Sequence, residues 1–377
     1  MKALVTDAHL RSSVAGIRAL GAGGVPVVAA ATNRSAAGLW SRYAGARATM
    51  PASSAPAELV DALGALAAQH GRLAVYPGQE STVGALIEHA DRLSPDVVSP
   101  YGEGAGPRRL REKPELAELA AAEGLEAPRT LASGSASELA AMSLPAPCAV
   151  KPVRPGGVLA STQVVEDGAT LAALLQTLPP DEPLLIQDHV GGPLTAIGIV
   201  VDREGAVVAR FQQEARRTWP PGAGASAVAV SVAPDDDLVA RGAALLRRVG
   251  YSGLAQLQFL RGPRGPALID VNPRFYGSLP LAFAAGVNLP AAWHAVVSGG
   301  PLPTPGPYRV GVNFRWLEAD LMAAVDGSPR ALLHRVPRPS AGAVWATGDP
   351  VPGTMLAWHA VASRVPKLAR RLATRRR

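Results

Sequence analysis

Residues 269–275 read Ile-Asp-Val-Asn-Pro-Arg-Phe, and the rest of the chain is parsed outward from this run. Asp270 and Asn272 are two apart on a strand, so their side chains share one face. Residues 254–260 and 267–271 form a hairpin, and Gln258 on its first strand can face the same way. Carboxylate and amide oxygens are hard ligands; Mg²⁺ takes one or two carboxylates and fills its shell with phosphate oxygens and water. Arg274 can neutralise charge developing on a transferred phosphoryl group. Alternatively, Asp270 and Asn272 form an Asx-type turn that satisfies loop amides. These residues alone leave both readings open.

Two lysines extend the pattern. The chain has four in all, Lys2, Lys113, Lys151 and Lys367, against 33 arginines. Lys113 precedes Pro114 at the start of a helix with Leu116, Leu119 and Ala120 on one face and Gly124 as its stop. Lys151 ends a strand before Gly156-Gly157, and an ammonium group beside glycine-rich backbone amides suits phosphate. Two surface lysines are the plainer alternative. Arg216-Arg217 falls in the loop after a hairpin formed by residues 196–201 and 207–211. Arg216 is a candidate contact to a substrate carboxylate or phosphate, the alternative being a solvated loop. Cys148, the single cysteine, reads as a small core residue inside an apolar strand.

The first 105 residues alternate short apolar strands (2–6, 25–30, 73–76) with helical segments (14–21, 57–69, 82–92), and Ser12 or Ser13 can cap the first helix. This spacing implies a parallel sheet of Rossmann-like type. There is no G-x-G-x-x-G after the first strand, no P-loop, no H-E-x-x-H and no G-x-S-x-G. Gly102 to Gly106 reads as a linker.

Taken in order, Lys113, Lys151, Gln187-Asp188-His189-Val190 and residues 269–275 resemble the ATP-grasp superfamily, in particular the ATP-grasp domains of the carbamoyl phosphate synthetase large chain. The continuation to Pro290 resembles ATP-dependent carboligases of that superfamily. The resemblance covers about residues 1–300. It implies an α/β and α+β chain: a Rossmann-like pre-ATP-grasp domain over 1–105, an ATP-grasp domain over 106–307 in two parts (106–183 and 184–307), and a C-terminal extension over 308–377. It implies ATP and two Mg²⁺ ions, with Mn²⁺ as an alternative. Lys113 and Lys151 would contact the ATP phosphates under a loop holding Gly156 and Gly157. Asp188 or Gln187 would take the adenine amino group, with the backbone of Val190 reading the ring. Gln258, Asp270 and Asn272 would hold the metal, and Arg274 would stabilise an acyl phosphate. The implied activity is a cytoplasmic ligase joining a small carboxylate to an amine or thiol. Two departures stand out. Asp270 replaces the usual Glu, and no acid follows the hinge for the ribose, Thr195 being a weak substitute. They motivate an alternative, an ATP-binding relative without ligase activity.

The 377 residues carry 37 basic and 30 acidic side chains. Seven of the bases and none of the acids fall in residues 364–377, which leaves 30 against 30 in the body. Nothing in the body therefore points to nucleic acid. Residues 358–377 could form a basic amphipathic helix, giving a third reading as a membrane-surface adaptor, against a solvated tail. Residues 281–297 are mostly apolar, but Gly286, Asn288, Pro290 and His294 interrupt them, and they read as a buried segment.

Overall fold

The computed structural model describes residues 1–101, 106–153, 157–159, 161–262, 264–325, 330, 337 and 340–362. Gly156, most of the 102–106 linker and the basic tail from residue 363 onward lie outside the described residues.

The chain opens with β1 (Lys2–Val5), α1 (Arg11–Ala22), β2 (Val27–Ala31), β3 (Ala44–Thr49), α2 (Pro56–His70), β4 (Leu73–Tyr76), α3 (Glu80–Glu88) and β5 (Val97–Val98). The strands form a parallel sheet in the order β3-β2-β1-β4-β5. β2 and β4 are buried along their whole length, as expected of strands in a parallel sheet. The order reverses between β1 and β4, so a crevice opens at their carboxyl ends. The expected serine cap on α1 is corrected: the helix starts at Arg11 after Leu10, without a side-chain cap. Ser12 instead donates to Gly78 O (3.0 Å) and Ser13 to Thr6 O (2.8 Å), tying α1 to the strand ends. The helix expected over 82–92 is α3 followed by a separate 3₁₀ turn at Ala90–Arg92.

Next come α4 (Gly106–Arg109), α5 (Lys113–Ala122), β6 (Thr130–Ser135), α6 (Ala136–Ala140), β7 (Cys148–Pro152), β8 (Gln163–Val165), α7 (Gly168–Gln176) and β9 (Pro183–Asp188). β6 to β9 form an antiparallel sheet in the order β6-β9-β7-β8. Leu139, Val150, Leu171, Leu175 and Ile186 make a core that belongs to this sheet and its two helices, α6 and α7.

A larger sheet follows, built from β10 (Leu194–Val201), β11 (Val207–Trp219), β12 (Ala225–Ser231), β13 (Gly253–Gly262), β14 (Gly265–Asn272), β15 (Asn313–Arg315) and β16 (Ser340–Gly342), in the order β14-β13-β10-β11-β12-β15-β16. The helices are α8 (Asp236–Arg248), α9 (Leu279–Ala285), α10 (Leu289–Ser298), α11 (Leu317–Val325) and α12 (Pro350–Ala362). One face presents Ile197, Ile199, Leu257 and Phe259 to α8, in a core shared with Leu4 and Val28. The other presents Val200, Phe211 and Ala229 to α9 and α10, in a core shared with Val5 and Ile17. The first and third sheets are thus fused through two common cores.

β11 corrects one expectation. The strand does not stop at Phe211 but runs through Arg216-Arg217 to Trp219, bulging near both arginines. It lies between β10 and β12, but pairing with β10 ends at Glu214; from Ala215 onward it pairs with β12 alone, and buried Asp320 pairs with Arg217. Among the described residues no single helix is long and apolar enough to cross a membrane. The apolar stretch 281–297 is α9 and α10, bent 97° from each other, with Leu281, Ala282 and Trp293 buried.

Candidate active site

The side chains with chemistry gather at the carboxyl end of β14. Asp270 and Asn272 stand opposite Gln258 and Gln256 of β13, so the pleat brings all four to one face. Asn272 Nδ2 donates to Asp270 Oδ2 (3.1 Å) and Gln256 Oε1 (3.5 Å), and Gln258 Nε2 donates to Gln256 Oε1 (3.4 Å). Gln256 was not anticipated. The signal for it was present, since it lies two residues before Gln258 and shares its face.

Two lysines from separate elements reach this point. Lys113 opens α5 and its ammonium donates to Asp270 Oδ1. Lys151 comes from β7, in the antiparallel four-stranded sheet, and its ammonium lies 3.5 Å from Ile269 O. Burial pulls the Lys151 ammonium down to about 8, with repulsion from Lys113 adding to the shift and Asp270 opposing it. Burial alone would push the Asp270 carboxyl up. Lys113, Lys151 and Arg274 together outweigh that and hold it below the usual carboxylate range.

Arg274 is fixed from several sides. Its Nη2 donates to Asn272 Oδ1 (2.8 Å), its Nη1 to Phe275 O (3.0 Å) and its Nε to Glu80 Oε2 (3.3 Å). Glu80, in the first turn of α3, also accepts from Arg111. The loop carrying Arg274 is anchored by Tyr101, which donates to Pro273 O (2.9 Å). The fully buried ring of Phe275 stacks on Tyr76 at 5.9 Å and meets Trp293 edge-on at 5.5 Å. Glu80, Arg111 and Tyr101 come from elements remote in sequence, and no local pattern marks them. Lys113, Lys151, Arg111 and Arg274 face two carboxylates, Asp270 and Glu80, leaving an excess of positive charge that suits a polyphosphate.

Gln187 and Asp188 lie at the end of β9. Gln187 is buried with Oε1 unpartnered and Nε2 3.5 Å from Pro128 O; Asp188 pairs with Arg129 at 3.2 Å. His189, Val190 and Gly191 line a cleft of about 320 Å³ closed on its other side by Ala127, Gly262 and Ala267. Thr195 is buried and donates to Gln213 O (3.0 Å), so its hydroxyl is already committed. Gly157 abuts Glu182: a Cβ at this glycine would stand 1.9 Å from Oε1. Arg216 is exposed and pairs with Glu214 at 3.5 Å, and no described contact brings it to the cluster on β14. Cys148 is buried, and burial raises its thiol.

The donor set fits Mg²⁺ better than a transition metal. Among the described residues no group of three His, Cys, Asp or Glu could hold an ion. Gln258, Asp270 and Asn272 offer hard oxygens with one carboxylate, which suits an ion that completes its shell with phosphate oxygens and water.

Residues 180–319 match the family described as "ATP-grasp in the biosynthetic pathway with Ter operon". No curated protein matches the sequence. The fold is similar to biotin carboxylase from Campylobacter jejuni, solved with a β,γ-ATP ligand (TM-score 0.61, 16% identity, 83% of this chain and 74% of that one). It is also similar to L-amino acid ligase from Bacillus licheniformis (0.59, 15%, 80% and 75%). A third is the biotin carboxylase domain of 2-oxoglutarate carboxylase from Hydrogenobacter thermophilus, solved with MgADP, ADP and bicarbonate (0.58, 16%, 83% and 73%).

Proposed function

From the ATP-grasp fold that the chain carries, we propose an ATP- and Mg²⁺-dependent ligase that activates a carboxylate as an acyl phosphate and passes the acyl group to an amine, or to a thiol in its place. The meeting of Lys113, Lys151 and Arg274 with Asp270 and Asn272 at the end of β14 carries this reading. A biosynthetic role agrees with the description of the matching family.

A carboxylate is a poor electrophile because its leaving group would be oxide. In the first step a carboxylate oxygen attacks the γ-phosphorus of ATP, the bond from that phosphorus to the β,γ-bridging oxygen breaks, and ADP leaves. In the second step the nucleophile's nitrogen attacks the acyl carbon, the bond to the phosphate oxygen breaks, and inorganic phosphate leaves while the nitrogen loses a proton. Both steps depend on positioning and charge neutralisation. Lys113 and Lys151 hold phosphate oxygens. Gln187 or Asp188 accepts from the adenine amino group, and the backbone of Val190 reads the ring. Arg274 balances charge on the transferred group. Gln258, Asp270 and Asn272 would hold one or two Mg²⁺ ions, or Mn²⁺, whose chemistry is to neutralise the phosphate oxygens.

The test follows ¹⁸O from a substrate carboxylate. An acyl phosphate route delivers one ¹⁸O into inorganic phosphate for each ADP released, and unlabelled phosphate rejects the route. The second reading, a nucleotide-binding relative without ligase chemistry, is favoured by the commitment of Thr195 to Gln213 and by the short acid at 270. It predicts MgATP binding by calorimetry with no carboxylate-dependent ADP release.

A further inference from the structure

A second group of buried charges lies along the loop from Arg274, and the reaction described above does not use it. Arg11 opens α1 beside the crevice at the carboxyl ends of β1 and β4. Its guanidinium carbon stands 3.4 Å from the centroid of the Trp316 ring, and Nη1 is buried with no hydrogen-bond partner. Gly277 makes the room: a Cβ there would stand 2.5 Å from Arg11 Cζ. Gly277 is three residues beyond Arg274, so Arg11 packs against the loop that carries Arg274.

The opposite charge comes from Glu318, two residues after Trp316 in the first turn of α11. Glu318 is 5% exposed, and Oε1 has no hydrogen-bond partner. Burial raises the Glu318 carboxyl, opposed by a hydrogen bond from its own backbone amide and by attraction to Arg11, and burial draws the Arg11 guanidinium down to about 10, opposed by attraction to Glu318. They attract without forming an ion pair. Two buried opposite charges, each with an unsatisfied atom, are costly when left so. A molecule carrying both an anion and a cation would satisfy both.

We propose that Arg11 and Glu318 form the subsite for the carboxylate substrate, and that this substrate is an α-amino acid: its carboxylate lies on Arg11 towards Arg274, and its ammonium group lies on Glu318. An ammonium held on a carboxylate has no free lone pair, so the bound amino group is kept out of the reaction and the carboxylate is the end that is activated. The Trp316 ring, 3.4 Å from the guanidinium carbon, restrains the guanidinium that would grip the carboxylate at two points. The proposal rests on the ligase reading and adds the class of carboxylate.

The experiment supplies MgATP, a panel of α-amino acids and their N-acetyl derivatives, and hydroxylamine in place of the unknown nucleophile, and measures ADP and hydroxamate. MgATP affinity is measured separately by calorimetry. The wild-type chain is expected to form hydroxamate from at least one free amino acid and at least tenfold less from its N-acetyl form. Arg11→Met is expected to raise KM for the amino acid about a hundredfold with MgATP affinity unchanged. Glu318→Gln is expected to narrow the gap between free and acetylated forms while still binding MgATP. Equal use of the two forms by the wild type, hydroxamate from carboxylates other than amino acids alone, or an unchanged KM in Arg11→Met overturns the subsite and leaves the ligase reading in place. Failure of the wild type to bind MgATP overturns both.

Discussion

Lys151 carries the most informative charge at the residue scale. Its ammonium sits in a site that already holds Lys113, and burial brings it to about 8. The group is charged below that pH and neutral above it, so the unliganded site must take up a proton to bind phosphate at higher pH. The dissociation constant for MgATP is therefore expected to rise up to about tenfold per pH unit above pH 8, and Lys151→Arg is expected to flatten that rise by staying charged. Calorimetry from pH 6.5 to 9.5 checks both. Linkage gives a second readout. Between about pH 8 and 10.5 the unfolded chain keeps a proton that the folded one has lost, so the Lys151 contribution to unliganded stability rises with pH over that window. A urea midpoint for the wild type relative to Lys151→Met that falls across this range would contradict the burial of the ammonium. Asp270 is the one carboxylate among the candidate metal donors. Asp270→Asn also removes the partner of Lys113. It is expected to lower the rate of ADP release by about 10²–10³-fold and to weaken its dependence on Mg²⁺ concentration, as read by a magnesium titration.

The elements explain why the site could be read only in part. Lys113, Lys151, Gln258, Asp270 and Asn272 stood out because each ends or alternates within an element whose period is visible in the sequence. Glu80, Arg111 and Tyr101 did not, because they meet Arg274 through the crossing of α3 and the segment before α5 over the loop after β14, a juxtaposition no local period encodes. The end of β11 was misread for the opposite reason: Gln212 to Arg217 is a mostly polar run that stays in the sheet because pairing with β12 continues past Glu214, where pairing with β10 ends, and because buried Asp320 pairs with Arg217. The seat of α1 against that loop is also invisible in sequence. Gly16 lies where a Cβ would stand 2.2 Å from the ring of Phe275. Alanine in place of a mid-helix glycine ordinarily favours a helix by about 1 kcal/mol. Here the methyl meets a ring already locked against Tyr76 and Trp293. Overpacking of this kind costs about 1–3 kcal/mol. Gly16→Ala is therefore expected to lower the urea midpoint and, by shifting the loop, to reduce turnover more than MgATP affinity. An unchanged midpoint would show that the ring has space to move.

At the scale of the whole molecule the three sheets are held unequally. The N-terminal and the large sheet share two cores, one on each face of β10 and β13, so neither can open without exposing buried side chains of the other. The four-stranded sheet keeps a core of its own, and among the described residues Lys151 reaches β14 through a long contact to Ile269 O. Local opening follows the least shared contacts. A nucleotide whose phosphates engage Lys151 on one side and Lys113 with Asp270 on the other would add ties between bodies that are otherwise loosely joined. MgATP is therefore expected to slow amide exchange across β6 to β9 by about tenfold or more, while β10 and β13, already closed between two cores, change little. Hydrogen-exchange mass spectrometry with and without MgATP separates the outcomes. Protection confined to β13 and β14 would mean that the four-stranded sheet takes no part in holding the nucleotide, and that Lys151 serves packing instead of phosphate.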